Sequence, residues 1–302
     1  MRIILLLIFW LTSIFYDLCA QTMPEADIYL TEIDRDKKGR WMVKSPVNIT
    51  NRKGYENQPY FMPDGSLMYS GQKGKYTDIY RYSVKDNTHE NLTNTPTTAE
   101  YSPKLMPNND YFTVVRVEED TITQHLVKLP LNNKTEPPQV LLPKVVVIGY
   151  YEWLTNQAVA LFLVTNPVSL HTYNFNDTLT NLITGQIGRC LQRIPQQNAL
   201  SFVHKTPNGW FLKRLNLDNW DIETIIPMLE GSEDFCWRTP DEILTGKDGK
   251  LYLHNTTEAE KQRDKNLLKW ELIADFTQVG ITNFSRIATS PDGKRLAVTV
   301  VK

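Results

Sequence analysis

Short apolar runs of four to eight residues, separated by polar turns, recur along most of the chain. In the clearest unit, Gln58 to Met62 and Leu67 to Ser70 flank Pro63-Asp64-Gly65. There the proline fixes φ and the glycine accepts a positive φ. Thr77 to Ser83 supplies a third run. Lys85-Asp86-Asn87 then turns the chain into a fourth, which ends near Leu92. Strands with turn punctuation at this spacing predict an all-β protein. Only Glu258 to Leu268, a charged stretch, reads as a short helix or a solvated loop.

The unit repeats. Asn48-Ile49-Thr50-Asn51 returns as Asn91-Leu92-Thr93-Asn94, and Pro59 to Gly65 returns loosely as Pro103 to Asn109. Ser290-Pro291-Asp292-Gly293-Lys294-Arg295-Leu296-Ala297 restates the turn and its following strand. Weaker copies at Leu154, Pro195 and Pro240 bring the turns to six, with a mean step of about 46 residues, the period of a four-stranded propeller blade. The chain predicts a six-bladed β-propeller of four-stranded antiparallel blades over residues 21–302. At its ends, Asp27-Ile28-Tyr29 copies the third-run motif Asp78-Ile79-Tyr80, whereas the last unit stops after its second run, Arg295 to Val301. The N-terminal segment is therefore expected to complete the last blade, which would leave no open sheet edge.

Residues 1–20 follow different rules. Arg2 precedes an apolar run from Ile3 to Phe15, and Leu18-Cys19-Ala20 offers a cleavage point before Gln21. This is the grammar of a signal peptide, and the run is short for a membrane span. The mature chain is expected outside the cytoplasm, periplasmic or secreted, with no transmembrane span. Leu18 ahead of Cys19 argues against acylation there. Cys190 and Cys236 remain, too few for a disulfide framework, and read as buried free thiols.

The Leu-Thr strand end, the Pro-Asp-Gly turn and the Asp-Ile-Tyr strand resemble the WD40-like repeats of TolB and related bacterial propellers. The resemblance spans nearly all of residues 21–302, and it is strong in the first, second and sixth units. It implies a binding platform outside the cytoplasm. The first blade motifs follow the signal almost directly, so the separate N-terminal domain of TolB is expected to be missing.

A net charge of -1, with 33 basic and 34 acidic side chains, argues against a nucleic-acid partner. The five histidines have no zinc-ligand spacing. In a propeller the segments entering the innermost strands gather around the central channel. The candidate ligand-binding residues are Glu56, Asn57 and Gln58, then Glu100 and Tyr101, then Tyr150, Tyr151 and Glu152, then Arg189, then Glu233 and Asp234, and finally Asn283. Such a ring suits a protein, peptide or glycan bound by a monomeric, non-enzymatic scaffold. The alternative is a hydrolase or lactonase with Ca²⁺ on the axis, since carboxylates with asparagine offer oxygen ligands to a hard cation. Trp153, Trp210, Trp220, Trp237 and Trp270 are expected to pack between blades. Sequons stand at Asn48, Asn91, Asn133, Asn176, Asn255 and Asn283.

Overall fold

The computed structural model describes residues 23–132, 135–257 and 269–302. The proposed signal peptide, the charged stretch Glu258–Leu268 and the Asn133 sequon lie outside the described residues. The N-terminal strands are β1 (Ala26–Arg35), β2 (Trp41–Val43) and β3 (Val47–Asn48). The first full blade is β4 (Glu56–Phe61), β5 (Leu67–Lys73), β6 (Tyr76–Ser83) and β7 (Thr88–Asn91). The second is β8 (Ala99–Leu105), β9 (Tyr111–Val117), β10 (Gln124–Pro130) and β11 (Gln139–Val140). The third comprises β12 (Ile148–Thr155), β13 (Ala158–Leu163), β14 (Ser169–Asn174) and β15 (Leu179–Gly185). The fourth comprises β16 (Ile187–Arg193), β17 (Ala199–Thr206), β18 (Gly209–Asn216) and β19 (Ile222–Pro227). The fifth comprises β20 (Phe235–Trp237), β21 (Glu242–Lys247), β22 (Lys250–Asn255) and β23 (Glu271–Asp275). The sixth sheet sets β24 (Ser285–Thr289) and β25 (Arg295–Val301) beside β1, which also pairs with β2 and β3.

Each turn read from the sequence joins the innermost strand of a sheet to the next strand out. The innermost strands touch in cyclic order, β4 to β8, β12, β16, β20, β24 and back to β4, so the six sheets form a ring. In the sixth sheet, β1 runs antiparallel to β25 with Tyr29 opposite Val298.

The core is divided among the blade interfaces. Met62, Met68 and Ile79 of the first blade pack on Leu105, Phe112 and Val127 of the second. Tyr151 and Trp153 carry the next interface against Val115 and Leu126. Equivalent clusters fill the remaining four interfaces. Both faces of each sheet are thus covered, which accounts for apolar runs that alternate only weakly with polar residues. Trp153 and Trp237 lie in these clusters and also donate from Nε1 to Thr113 Oγ1 and Ser201 Oγ of the preceding blade, each at 2.8 Å. Trp210 and Trp270 pack at the edge of the fourth interface. Trp220 departs from the expectation. It sits in the turn between β18 and β19, 49% exposed, because a hairpin tip points away from every neighbouring blade.

The repeated motifs meet as a polar clasp. Asn91 Nδ2 and Thr93 Oγ1 donate to the buried Asp78 carboxylate at 2.7 and 3.3 Å, and the Ile79 N–H donates to Thr93 Oγ1 at 3.0 Å. In the sixth sheet, Asn48 and Thr50 make the same bonds to Asp27 at 2.8 and 3.1 Å, with the Ile28 N–H on Thr50 Oγ1 at 3.0 Å. Side chains that read as two sequons therefore hold the outer strand onto its neighbour and satisfy a buried carboxylate.

Candidate functional site

The innermost strands are irregular where they face the axis. In β4, β8 and β24 the ladder slips between Asn57 and Tyr60, Tyr101 and Lys104, and Ser285 and Ala288. Inside each slip one residue takes a positive φ: 58° at Gln58, 53° at Ser102 and 51° at Arg286. Each stands five residues before the proline of its turn. A bulge of this kind re-aims side chains, and left-handed backbone at non-glycine residues costs energy that the surrounding structure must offset.

All six innermost strands line one axial cavity of about 280 Å³. Four cations, Lys104, Arg189, Arg193 and Arg286, and two carboxylates, Glu152 and Asp234, are among its walls. Pro59, Pro103, Leu191 and Ile287 supply apolar surface between them. A second cavity of about 360 Å³ lies beyond Arg189, Asp234 and Ile287, which line both.

The charged groups are tied across blades. Arg189 grips Asp234 with two bonds, Nε to Oδ1 at 3.1 Å and Nη2 to Oδ2 at 2.6 Å, and meets Glu233 at 2.9 Å. Lys205 also reaches Glu233, at 2.6 Å. Bidentate pairing of this type fixes orientation as well as charge. Burial opposes ionisation of Asp234, but Arg286 and Arg189 outweigh it and hold the carboxyl below its ordinary range. Burial likewise works against the Arg189 cation, and the two carboxylates more than offset it. Arg286 Nη2 donates to the Tyr150 hydroxyl at 2.8 Å, and its guanidinium lies 4.9 Å from the centre of that ring. On the opposite wall Lys104 pairs with Glu152.

The structure sorts the expected residues into three groups. Gln58, Tyr150, Tyr151, Glu152, Arg189 and Asp234 line the axial cavity. Glu233 and Asn283 line the second cavity. Glu56, Asn57, Glu100 and Tyr101 line neither: they stand before the slips in β4 and β8, and the cavity lining of those strands begins at Gln58 and Ser102. Glu56 is buried against Arg52, with Nε to Oε1 at 2.8 Å. Glu100 is buried against Arg116 at 3.0 Å and accepts from Thr98 Oγ1 at 2.9 Å. Asn57 Oδ1 accepts from the Gln58 N–H at 2.8 Å, and Tyr101 packs edge-on to Tyr55. Of the expected carboxylates only Glu152 and Asp234 share the axial cavity. Each of the five faces a cation: Arg52 at Glu56, Arg116 at Glu100, Lys104 at Glu152, and Arg189 at both Glu233 and Asp234. No group of three His, Cys, Asp or Glu side chains is placed to hold a metal ion among the described residues. Cys190 and Cys236 are free thiols, and burial pushes the Cys190 thiol up to about 12.

Sequence reasoning passed over Ser102, Lys104, Gln192 and Arg286. The repeat register contained the signal for two of them: Ser102 and Arg286 occupy the place that Gln58 holds in the first blade.

No family model matches the sequence, and no curated protein matches it. Solved structures do match in shape. A chain assigned as TolB from Agrobacterium tumefaciens superposes with a TM-score of 0.66 at 14% identity, covering 93% of this chain and 99% of that one. TolB from Acinetobacter baumannii superposes at 0.56 with 11% identity, covering 90% of this chain and 63% of that protein. An oligogalacturonate lyase in complex with manganese superposes at 0.51, also with 11% identity, covering 93% and 98%. The chain has the TolB-like six-bladed propeller fold. No helix among the described residues is long and apolar enough to cross a membrane.

Proposed function

We propose that this protein is an exported binding scaffold, without catalysis of its own, that holds a segment of another macromolecule in the axial cavity. One observation carries the reading: every innermost strand contributes to a single cavity whose charged groups are held by bonds between blades. A recessed, mostly apolar site with a few oriented polar groups is the usual form of a recognition site. The TolB-like fold supports the reading, and the apolar run after Arg2 supports export. A photoreactive amino acid at Gln192, inside the cavity, is expected to cross-link a partner in intact cells. The same group at Leu182, exposed on the outer strand β15, is the control. Absence of any adduct from Gln192, or equal adducts from both positions, would overturn the proposal.

A further inference from the structure

The axial cavity holds four cations and two carboxylates. Lys104 is matched by Glu152, and Arg189 by Asp234. Arg193 turns its guanidinium to Gln197 O and Asn198 Oδ1 at 3.1 and 3.4 Å, which leaves Arg286. Arg286 makes no ion pair among the described residues. Its guanidinium touches the Tyr150 hydroxyl, and only its backbone N–H reaches Asp234 Oδ2, at 3.2 Å. A guanidinium carries five donors in a planar fork, so the single bond to Tyr150 leaves most of them unused. The Tyr150 ring holds that fork in place, and a fixed guanidinium edge matches a carboxylate through two parallel hydrogen bonds.

A second, independent observation lies in the wall of the same cavity. Ser102 is 8% exposed, and its Oγ has no hydrogen-bond partner. A buried hydroxyl left unpaired costs free energy unless something completes it. Ser102 and Arg286 hold the same place in blades separated only by the first. Gln58, between them, uses its Oε1 to accept from the Ser102 N–H at 2.8 Å and from Ser70 Oγ at 2.9 Å. Arg286, Gln58 and Ser102 thus stand side by side on the wall of one space bounded also by Pro59, Pro103 and Ile287.

We infer that the axial cavity recognises a peptide through an acidic side chain, its carboxylate seated on Arg286 and a neighbouring peptide group bonded to Ser102 Oγ. The inference rests on the binding reading above and adds the chemistry of the ligand. Apolar walls favour a peptide over a glycan, because residues flanking the acid can bury aliphatic side chains there. A sugar offers mainly hydroxyls, and these require more polar partners than the walls present.

The test uses the fluorescence of Trp237, which lines the cavity, and three probes. The first is a capped tripeptide with glutamate between two leucines, the second is its glutamine counterpart, and the third is a uronic-acid disaccharide. The glutamate peptide is expected to bind at least tenfold more tightly than the glutamine peptide. Arg286→Gln is expected to remove that difference. This variant should fold, since blade one itself places glutamine at the equivalent left-handed position, and an unchanged Tm verifies it. Equal binding of the two peptides, or a preference that survives Arg286→Gln in a folded protein, would refute the inference. Binding of the disaccharide alone would refute the peptide assignment while leaving the scaffold reading in place. If none of the probes binds, the inference fails, and cross-linking at Gln192 then shows separately whether the cavity has any partner.

Discussion

The backbone N–H of Arg286 donates to Oδ2 of Asp234 at 3.2 Å, joining the innermost strands of the fifth and sixth blades. The same oxygen accepts from Arg189 Nη2 of the fourth blade at 2.6 Å. One carboxylate therefore fastens three consecutive blades at the axis. Asp234→Ala leaves the Arg189 guanidinium with Glu233 alone and strands the Arg286 N–H, and breaking a buried pair in this way costs about 3 kcal/mol. Urea denaturation is expected to show that loss with an unchanged m-value. A loss below about 1 kcal/mol would mean that Glu233 compensates for the change.

Stability is expected to pass through a maximum near pH 5, because buried carboxyls titrate in opposite directions. Burial raises Glu56 to about 7, against the opposing effect of Arg52. Stability from a raised carboxyl is complete below its unfolded value and is lost as pH rises through about 7. Asp27 and Asp234 are shifted down. Burial works against both shifts, but Lys302, Asn48 and Thr50 outweigh it at Asp27, and Arg286 and Arg189 outweigh it at Asp234. Stability from these two is complete above the unfolded carboxylate value and is lost as pH falls through their lower folded values. Glu56→Gln should flatten the alkaline limb, which amounts to roughly 3 kcal/mol. Thermal melts from pH 3 to 8 measure both limbs, and an alkaline limb unchanged in the variant would contradict the assignment.

The clasp around Asp78 makes a prediction of its own. Asp78→Ala strands Asn91, Thr93 and Thr95, all of which donate to it. Orphaning several partly buried donors is expected to cost about 3 kcal/mol. Asp78→Asn, which keeps one acceptor oxygen, should cost less. Hydrogen exchange should locate the loss of protection in β7 rather than in β4, whereas uniform loss across the blade would argue against a local clasp.

Chelation should leave the protein unaffected. Asp234, Glu233 and Glu152 each face a side-chain cation, so the fold does not require a metal to neutralise them. The Tm is expected to be the same with and without EDTA after purification without added metal. A fall of several degrees would favour the Ca²⁺ reading of the axis.

The fold was far more legible in the sequence than the site. Pro63-Asp64-Gly65, its copies, and the pairing of Asp78 with Asn91 and Thr93 are local devices, and local chemistry repeats visibly along a chain. The axial groups are different. Whether Glu56 or Gln58 reaches the cavity depends on a one-residue slip in β4, and a slip of one residue changes which face a side chain occupies. Counting residues back from each turn would have singled out Arg286 and Ser102. No count reveals that Arg52 and Arg116 have already claimed Glu56 and Glu100, because those pairs form only once each blade is folded.

The sheet that sets Tyr29 beside Val298 imposes an order on biosynthesis. Strand β1 is among the first parts of the described chain to be made, and its partner β25 is almost the last. Until then β2 and β3 can pair with one edge of β1, but the edge that β25 covers has bare backbone groups. Contacts so distant in sequence are slow to form, and an unpaired strand invites association with other chains. A cell that makes this protein must therefore keep that edge of β1 apart from other chains until β25 arrives.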